Sequence, residues 1–370
     1  MLTMELTRHP PEQYLDEEGE AIKPLPEWTN HPDILQDYYR TMVMARQGDQ
    51  KAVALQRTGK MGTYPSCLGH EACSVVYGGL LKDDDVLIPY YRDLPALMKR
   101  GIPLSDVLLY WGGDERGSAG AVWRKDFPNC VPIATQAGHA AGVATSFKIR
   151  HEPGEPMNVA LCALGDGGTS KGDFSEAINL AGVWQLPVVF IIVNNQWAIS
   201  VPRAIQSGAP TLAQKGVAAG VPSIQVDGND VIALHQVIGE ALSRARQGKG
   251  ATVVEAITYR LSDHTTADDA SRYRSNDELK EGWRKEPIKR LRNFLHHKGW
   301  WNEEDEQQLK TDADKMVEAA VQTYLNTPLP PIKDLFDYHY ANIPVQLEAQ
   351  KQQAIARAKA KQARQEGGHQ

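Results

Sequence analysis

The chain has 370 residues, 42% of them hydrophobic, with a formal net charge of −6. That is the composition of an ordinary globular protein with room for one large α/β domain or two medium ones, and its acidic balance argues against a nucleic-acid surface. The opening residues lack the basic and apolar regions of a signal peptide, and no apolar run reaches the length of a membrane span, so a cytoplasmic protein is expected.

Taken in order, residues 1–30 are Pro-rich and acidic with weak periodicity, which predicts an arm lying on the surface or on a partner. Helical periodicity runs from about Pro32 to Arg57, and Thr58–Ser66 is a turn. Gly69-His70-Glu71-Ala72 opens a second helix to about Leu81, and the acidic run Lys82–Asp85 after it reads as a solvated loop. Val86–Pro89 is a short strand followed by Tyr90-Tyr91-Arg92-Asp93. An Arg beyond a strand end suits a phosphate through its planar fork, and a surface ion pair with Asp93 is the competing reading. Pro103–Trp111 reads as a helix, Gly112–Gly120 as a mobile glycine loop, and Val131-Pro132-Ile133 as the start of a buried stretch leading into the small residues Gly138–Ser146.

Val159–Leu164 is an apolar run that breaks at Gly165-Asp166-Gly167-Gly168. A helical pattern follows from Asp173, and a second apolar run, Val188–Val193, stops at Asn194-Asn195. Strand, glycine turn, helix and strand make a βαβ unit of a parallel sheet, with polar residues just past the strand ends where such sheets bind ligands. Glycines and a helix N-terminus favour a phosphate, yet the Asp166 carboxylate would repel one unless a cation lay between. The Asn pair adds neutral oxygens, and an oxygen-only shell suits magnesium or calcium rather than zinc. An ordinary turn and a degraded dinucleotide fingerprint compete with this reading. The fingerprint fails because Ser170 stands where its last glycine belongs.

Further on, Leu212–Ala219 is helical, Ser223–Val226 is a strand, and Asp227–Asp230 is a turn that caps a helix over Val231–Gln247. Ala251–Tyr259 is a buried strand. The polar loop Arg260–Ser275 is either disordered or functional, and His264 within it falls past a strand end, facing the pocket of Asp166 or solvent. Glu278–Leu295 and Glu303–Asn326 read as helices, Pro328–Pro331 as a linker, and Asp334–Asn342 as a segment suited to a partner. The tail from Gln346 is a solvated helix, with Gly367–Gln370 disordered. The cysteines Cys67, Cys73, Cys130 and Cys162 form no CxxC pair and read as reduced core thiols.

From about Gln36 to Tyr340 the chain resembles the alpha subunits of the thiamin-dependent 2-oxo acid dehydrogenases, the decarboxylating first components of the pyruvate and branched-chain complexes. The stretches that carry the resemblance are YYRD at 90–93, VPIATQ at 131–136, GDGGTSKGDFSEAINLAG at 165–182, NNQWAIS at 194–200, VDGND at 226–230 and YRLSDHTTADDASRYRS at 259–275. The resemblance implies a thiamin diphosphate-binding α/β fold, a mostly parallel sheet with helices on both faces. It sets residues 31–326 as that domain, 1–30 as an arm and 327–370 as a helical C-terminal extension.

The resemblance further implies magnesium on Asp166, Asn195 and the Trp197 carbonyl, with the diphosphate on Tyr91, Arg92 and the Gly167 and Gly168 amides. Ile133 corresponds to the apolar wedge that bends the cofactor, and His264 lies near the diphosphate and the incoming lipoyl group. The reaction implied is oxidative decarboxylation of a 2-oxo acid, with transfer of the acyl group to the lipoyl domain of an acyltransferase component. The carboxylate that starts the cofactor's cycle belongs in this family to a separate beta subunit, so an α2β2 heterotetramer is expected and neither Glu71 nor Glu176 is nominated. Some branched-chain relatives carry a diphosphate-binding Arg about a dozen residues after the Asn pair; Ser207 and Gly208 stand there in this chain, and the role is not carried over to Arg203. The central stretch is most similar to bacterial pyruvate-specific members, which makes pyruvate the expected substrate and 3-methyl-2-oxobutanoate the alternative. A non-catalytic assembly or regulatory subunit is the reading from another class, and the presence together of Arg92, Asp166, Asn195 and His264 argues against it.

Overall fold

The computed structural model describes residues 10–119 and 125–367. Two helices, α1 (Pro32–Arg57) and α2 (Glu71–Leu80), lead into strand β1 (Val86–Ile88), followed by α3 (Leu94–Lys99), α4 (Leu104–Trp111) and α5 (Thr135–Arg150). The centre is β2 (Ala160–Gly165), α6 (Gly172–Val183) and β3 (Val188–Asn194). The chain continues through β4 (Trp197–Ala198), β5 (Val201–Pro202), α7 (Arg203–Gln206), α8 (Gln214–Ala218), β6 (Ser223–Asp227), α9 (Val231–Arg246) and β7 (Thr252–Ile257). Helices α10 (Asn276–Arg284), α11 (Pro287–His297) and α12 (Glu303–Asn326) follow. Residues to Tyr324 form one compact unit; those from Leu325 form a second, holding α13 (Asp334–Asp337) and α14 (Val345–Gly367).

Five strands make one parallel sheet in the order β1-β2-β3-β7-β6, while β4 and β5 pair as a small antiparallel ribbon. Strands β2 and β3 are covered on both faces, which is why they are apolar throughout rather than alternating. The pleat still sorts their side chains. Leu161, Ala163, Val189, Ile191 and Val193 join a core with α1, α2, α9 and α11, whereas Cys162, Leu164, Phe190 and Ile192 pack with α5 and α6. Each fully buried Leu, Val, Ile or Phe among them contributes about 1.5–3 kcal/mol of transfer free energy. The α/β architecture with helices on both faces is the expected one.

The arm closes the sheet's far edge. Glu12 pairs in parallel with Val226 of β6, and Leu15 is buried. Asp230 fixes both neighbours: one carboxylate oxygen accepts from the Ile232 and Ala233 amides at the start of α9, the other from the Tyr14 and Leu15 amides. The arm therefore lies on its own domain; its first nine residues lie outside the described ones.

Several local expectations are corrected. The stretch Glu278–Leu295 is two helices, because Pro287 lacks the amide that would continue the first and opens the second under a Glu286 cap. Val131 and Ile133 do not begin a buried stretch, since each is 46% exposed. Within the Gly112–Gly120 loop, Glu115–Ser118 form a 3₁₀ turn packed on α4, where a Cβ at Gly117 would lie 2.3 Å from the Asp106 carbonyl oxygen. Gly120 lies outside the described residues, as do 368–370 of the tail expected to be disordered. Cys67, Cys73 and Cys162 are buried free thiols, but Cys130 is only half-buried.

The acidic run 82–85 is not uniformly solvated either. Asp83 and Asp84 are exposed, whereas Asp85 is fully buried and accepts from the Arg246 guanidinium and from the Val159 and Lys82 amides. It ties β1, β2 and the end of α9 together. Removing one partner of a buried ion pair leaves the other charge uncompensated, so Asp85→Ala is expected to lose ~3–5 kcal/mol of stability. The midpoint of urea unfolding checks this; an unchanged midpoint would refute it.

Candidate active site

Because the strands are parallel, their C-terminal ends lie along one edge of the sheet, and the chain leaves them there carrying its polar residues. Tyr90–Asp93 follow β1, Asp166 follows β2, Asn195 follows β3 and Arg260–His264 follow β7. These segments surround a cavity of about 200 Å³. Its wall brings together Tyr91, Arg92, Ile133, Asp166, Gly167, Gly168, Asn195, Trp197 and His264, so each residue singled out in the sequence is on one pocket.

Asp166 opens a 3₁₀ turn, Asp166–Ser170, between β2 and α6, so the glycine amides belong to the turn that the sequence placed ahead of the helix. Gly167 has to be glycine: a Cβ would sit 2.8 Å from that of Ala198. The Asp166 side chain is 1% exposed, and its Oδ2 has no hydrogen-bond partner. Burial pushes this carboxyl up to about 6, an effect that local backbone amides and the Arg260 and Arg203 guanidiniums partly offset.

The Asn pair divides its work, which corrects the reading of both as cation ligands. Asn195 lines the cavity, with its Oδ1 accepting from the Trp197 amide at 3.1 Å. Asn194 turns away, donating to Glu255 at 2.7 Å. Among the described residues no three His, Cys, Asp or Glu side chains gather as metal ligands. One buried carboxylate beside amide and backbone oxygens fits a hard cation that completes its shell from an anionic ligand.

Two guanidiniums flank the other side. Arg92 is 2% exposed and does not pair with Asp93, which instead accepts from Tyr77 and from the Tyr90 amide. It donates to the Ser66 carbonyl at 2.7 Å, to the His264 carbonyl at 2.6 Å and to His264 Nδ1 at 2.9 Å. Arg260, fully buried, was missed in the sequence. It donates to the Tyr273 hydroxyl and to the Ile199 carbonyl, and it lies 3.3 Å from His264 Nδ1. Its position four residues before His264 in the same loop was the available signal. Gln136 was also missed. Its amide nitrogen donates to the Ala163 carbonyl while its buried Oε1 stays unpartnered on the cavity wall.

The Arg260–Ser275 loop is thus ordered, with Asp268 accepting from the His264 amide and the Tyr273 hydroxyl. Tyr91 stands edge-on to His264, ring centroids 6.3 Å apart. Ile199, a β-branched residue at φ +56°, is held in that strained conformation by the Arg260 bond to its carbonyl. Arg203 binds the Ser207 and Ala209 carbonyls and so braces its own loop.

The sequence comparisons agree with this geometry. The family described as "Dehydrogenase E1 component" matches residues 39–333, and the chain belongs to that family. It is 39% identical over 345 residues to the pyruvate dehydrogenase E1 component subunit alpha of Acholeplasma laidlawii, covering 90% of this chain and 96% of the relative. The corresponding Staphylococcus aureus subunit is 38% identical, covering 91% and 90%. The 3-methyl-2-oxobutanoate dehydrogenase subunit alpha of Mycobacterium tuberculosis is 40% identical, covering 88% and 87%.

His264 is the titratable group this surrounding constrains most clearly. Burial, then the Arg92 and Arg260 guanidiniums, push its pKa down to about 3. With Nδ1 accepting from Arg92, the neutral ring carries its proton on Nε2. The unfolded chain takes up a proton near the ordinary pKa of about 6.5, and the folded one does not until about 3, so this group costs stability progressively as pH falls between those values. In the cofactor-free protein the His264 ring nitrogens, followed by NMR, should show no titration from pH 8 to pH 5. A midpoint near the ordinary histidine value would refute the assignment.

Proposed function

We propose that this chain is the alpha subunit of a pyruvate dehydrogenase first component. With a beta subunit it would oxidatively decarboxylate pyruvate and pass the acetyl group to the lipoyl arm of an acyltransferase component. The observation that carries this reading is the buried, unpaired Asp166 carboxylate sharing a cavity with Arg92 and His264, beside the buried Arg260, in a chain of the dehydrogenase E1 family. Thiamin diphosphate and magnesium would occupy that cavity, and the unpartnered Asp166 Oδ2 together with the glycine turn that a Cβ would fill supports the fit.

In this reading Asp166, Asn195 and the Trp197 carbonyl hold the magnesium ion. Tyr91, Arg92 and the Gly167 and Gly168 amides take the diphosphate, whose charge the buried guanidiniums offset. Bound thiamin diphosphate supplies the electron sink that a 2-oxo acid needs to lose carbon dioxide. Ile133, exposed at the cavity edge, would offer an apolar surface to the cofactor. Neutral His264, its Nδ1 held by Arg92, keeps an Nε2–H that would serve as a donor to the diphosphate or the incoming lipoyl group.

The partner subunit is supported by what the cavity wall contains. Asp166 is the one carboxylate among the residues lining it. Glu71 is buried in an ion pair with Arg46 and accepts from the Gly69 amide, and Glu176 is exposed on α6. In this reading a second acid for proton transfer would come from another chain. At about 200 Å³ the cavity falls short of the roughly 300–1,000 Å³ of a complete small-molecule site. The exposed Val131, Ile133, Ile199, Val201 and Ile205 fit a surface that a second subunit covers. A cytoplasmic setting accords with four free cysteines.

Pyruvate is preferred because more of the similar relatives carry that name, and the M. tuberculosis relative keeps the branched-chain acid as the alternative. Dye reduction by the assembled enzyme, with thiamin diphosphate and magnesium, decides between them. The value of kcat/KM for pyruvate should exceed that for 3-methyl-2-oxobutanoate by roughly tenfold or more. The reverse order would reassign the substrate, and no activity with either acid would favour a non-catalytic subunit. His264→Ala should reduce acetylation of the lipoyl domain more than dye reduction. Equal losses in the two assays would put His264 in the decarboxylation step instead.

A further inference from the structure

We propose that Glu255 is a positioning residue for the metal-binding turn, acting through Asn194. The inference rests on the proposed magnesium site and concerns what holds that site in shape. Glu255 projects from β7, is 1% exposed, and makes no salt bridge among the described residues. Its carboxylate is satisfied by neutral donors. One oxygen accepts from Asn194 Nδ2 at 2.7 Å, the other from the Ala213 amide at 2.9 Å and from Gln225 Nε2 at 3.0 Å. Lys215 is the nearby cation and forms no direct ion pair with it, so the buried carboxylate is held in place by these three hydrogen bonds.

What the carboxylate adds is direction. Being an acceptor only, it obliges Asn194 to face it with the amide nitrogen, so the Asn194 carbonyl oxygen must face the other way. There Oδ1 accepts from the Gln196 backbone amide at 3.3 Å and from Gln196 Nε2 at 3.1 Å. Gln196 is held at φ +73°, a conformation rare for a residue with a Cβ. It lies between Asn195 and Trp197, the residues proposed to offer oxygens to the cation. Glu255 thus selects one of the two amide orientations of Asn194, and that orientation supports the left-handed turn.

The substitution Glu255→Gln turns this into a test, because it leaves one acceptor oxygen where there were two. The fixed Ala213 amide claims that oxygen, so the introduced NH2 faces Asn194. Asn194 must then flip and present a donor to the Gln196 N–H. The double change Glu255→Gln with Asn194→Asp restores the pattern. The introduced amide then donates to the introduced carboxylate, whose free oxygen again accepts from Gln196.

The experiment uses the enzyme assembled with its beta subunit, at saturating thiamin diphosphate, with Mn2+ as the probe and free Mn2+ counted by electron paramagnetic resonance. Glu255→Gln should weaken Mn2+ binding by about 10–100-fold, the usual cost of losing a residue that orients a ligand. The double variant should regain most of that loss. Melting temperatures measured without metal separate positioning from bulk stability. Wild-type Mn2+ affinity in Glu255→Gln would overturn the proposal. So would a double variant that recovers the metal-free melting temperature but not the affinity. A wild-type enzyme that takes up no Mn2+ would instead overturn the metal site itself, and the inference with it.

Discussion

Three charges in this fold are buried at one pocket and kept from pairing with one another. The Asp166 carboxylate, the Arg92 guanidinium and the Arg260 guanidinium are each at most 2% exposed, and no salt bridge joins them. A fold optimised for its own stability would pair such groups or replace them, since an uncompensated buried charge costs several kcal/mol. Backbone carbonyls, the Tyr273 hydroxyl and the His264 ring hold the guanidiniums in place with neutral acceptors. Neutral partners fix a cation's position without cancelling its charge. On the function proposed above, a cation at Asp166 and an anion beside the two arginines would complete this pocket.

The parallel sheet makes that separation possible. Each strand delivers a different group to the same edge, and the strand order sets their spacing. Asp166 and Asn195 leave the neighbouring strands β2 and β3, which puts the two proposed oxygen ligands together. Arg92 comes from beyond β1 and Arg260 from beyond β7, so the two guanidiniums approach from either side of β2 and β3 and meet at His264. Ile199 shows the cost of this arrangement. A β-branched side chain is kept at positive φ, at about 1–3 kcal/mol, by the same Arg260 that the site needs.

How much of this could be read from the sequence depended on how local each constraint was. Asp166 and Asn195 were legible because a glycine turn and a strand end mark them within one βαβ unit. Their division of labour with Asn194 was not, since it depends on Glu255, far away along the chain and in register beside Ile192. Arg260 was hidden by its setting in a run of charged residues, where burial of one member leaves no periodic trace. Asp85 failed for the same reason in reverse: a run of acids looks solvated unless Arg246 is known to meet it. Pro287 stands openly in the sequence, but apolar periodicity on both sides of it concealed the break it makes.

Val131 and Ile133 are the most instructive misreading. Apolar residues in sequence announce that water will be excluded from them, without saying by what. Among the described residues no helix or strand covers them, and they stand beside a pocket whose lining residues include one carboxylate and whose volume is small. Unfinished electrostatics and an unfinished apolar surface meet at the same place. A pocket that lacks only a ligand would need polar or closed edges to stay folded and soluble around it. One that lacks part of its wall needs apolar edges for that wall to seat against. The edge here is apolar, so the same exposed residues that defeated a simple core assignment support the second chain proposed above.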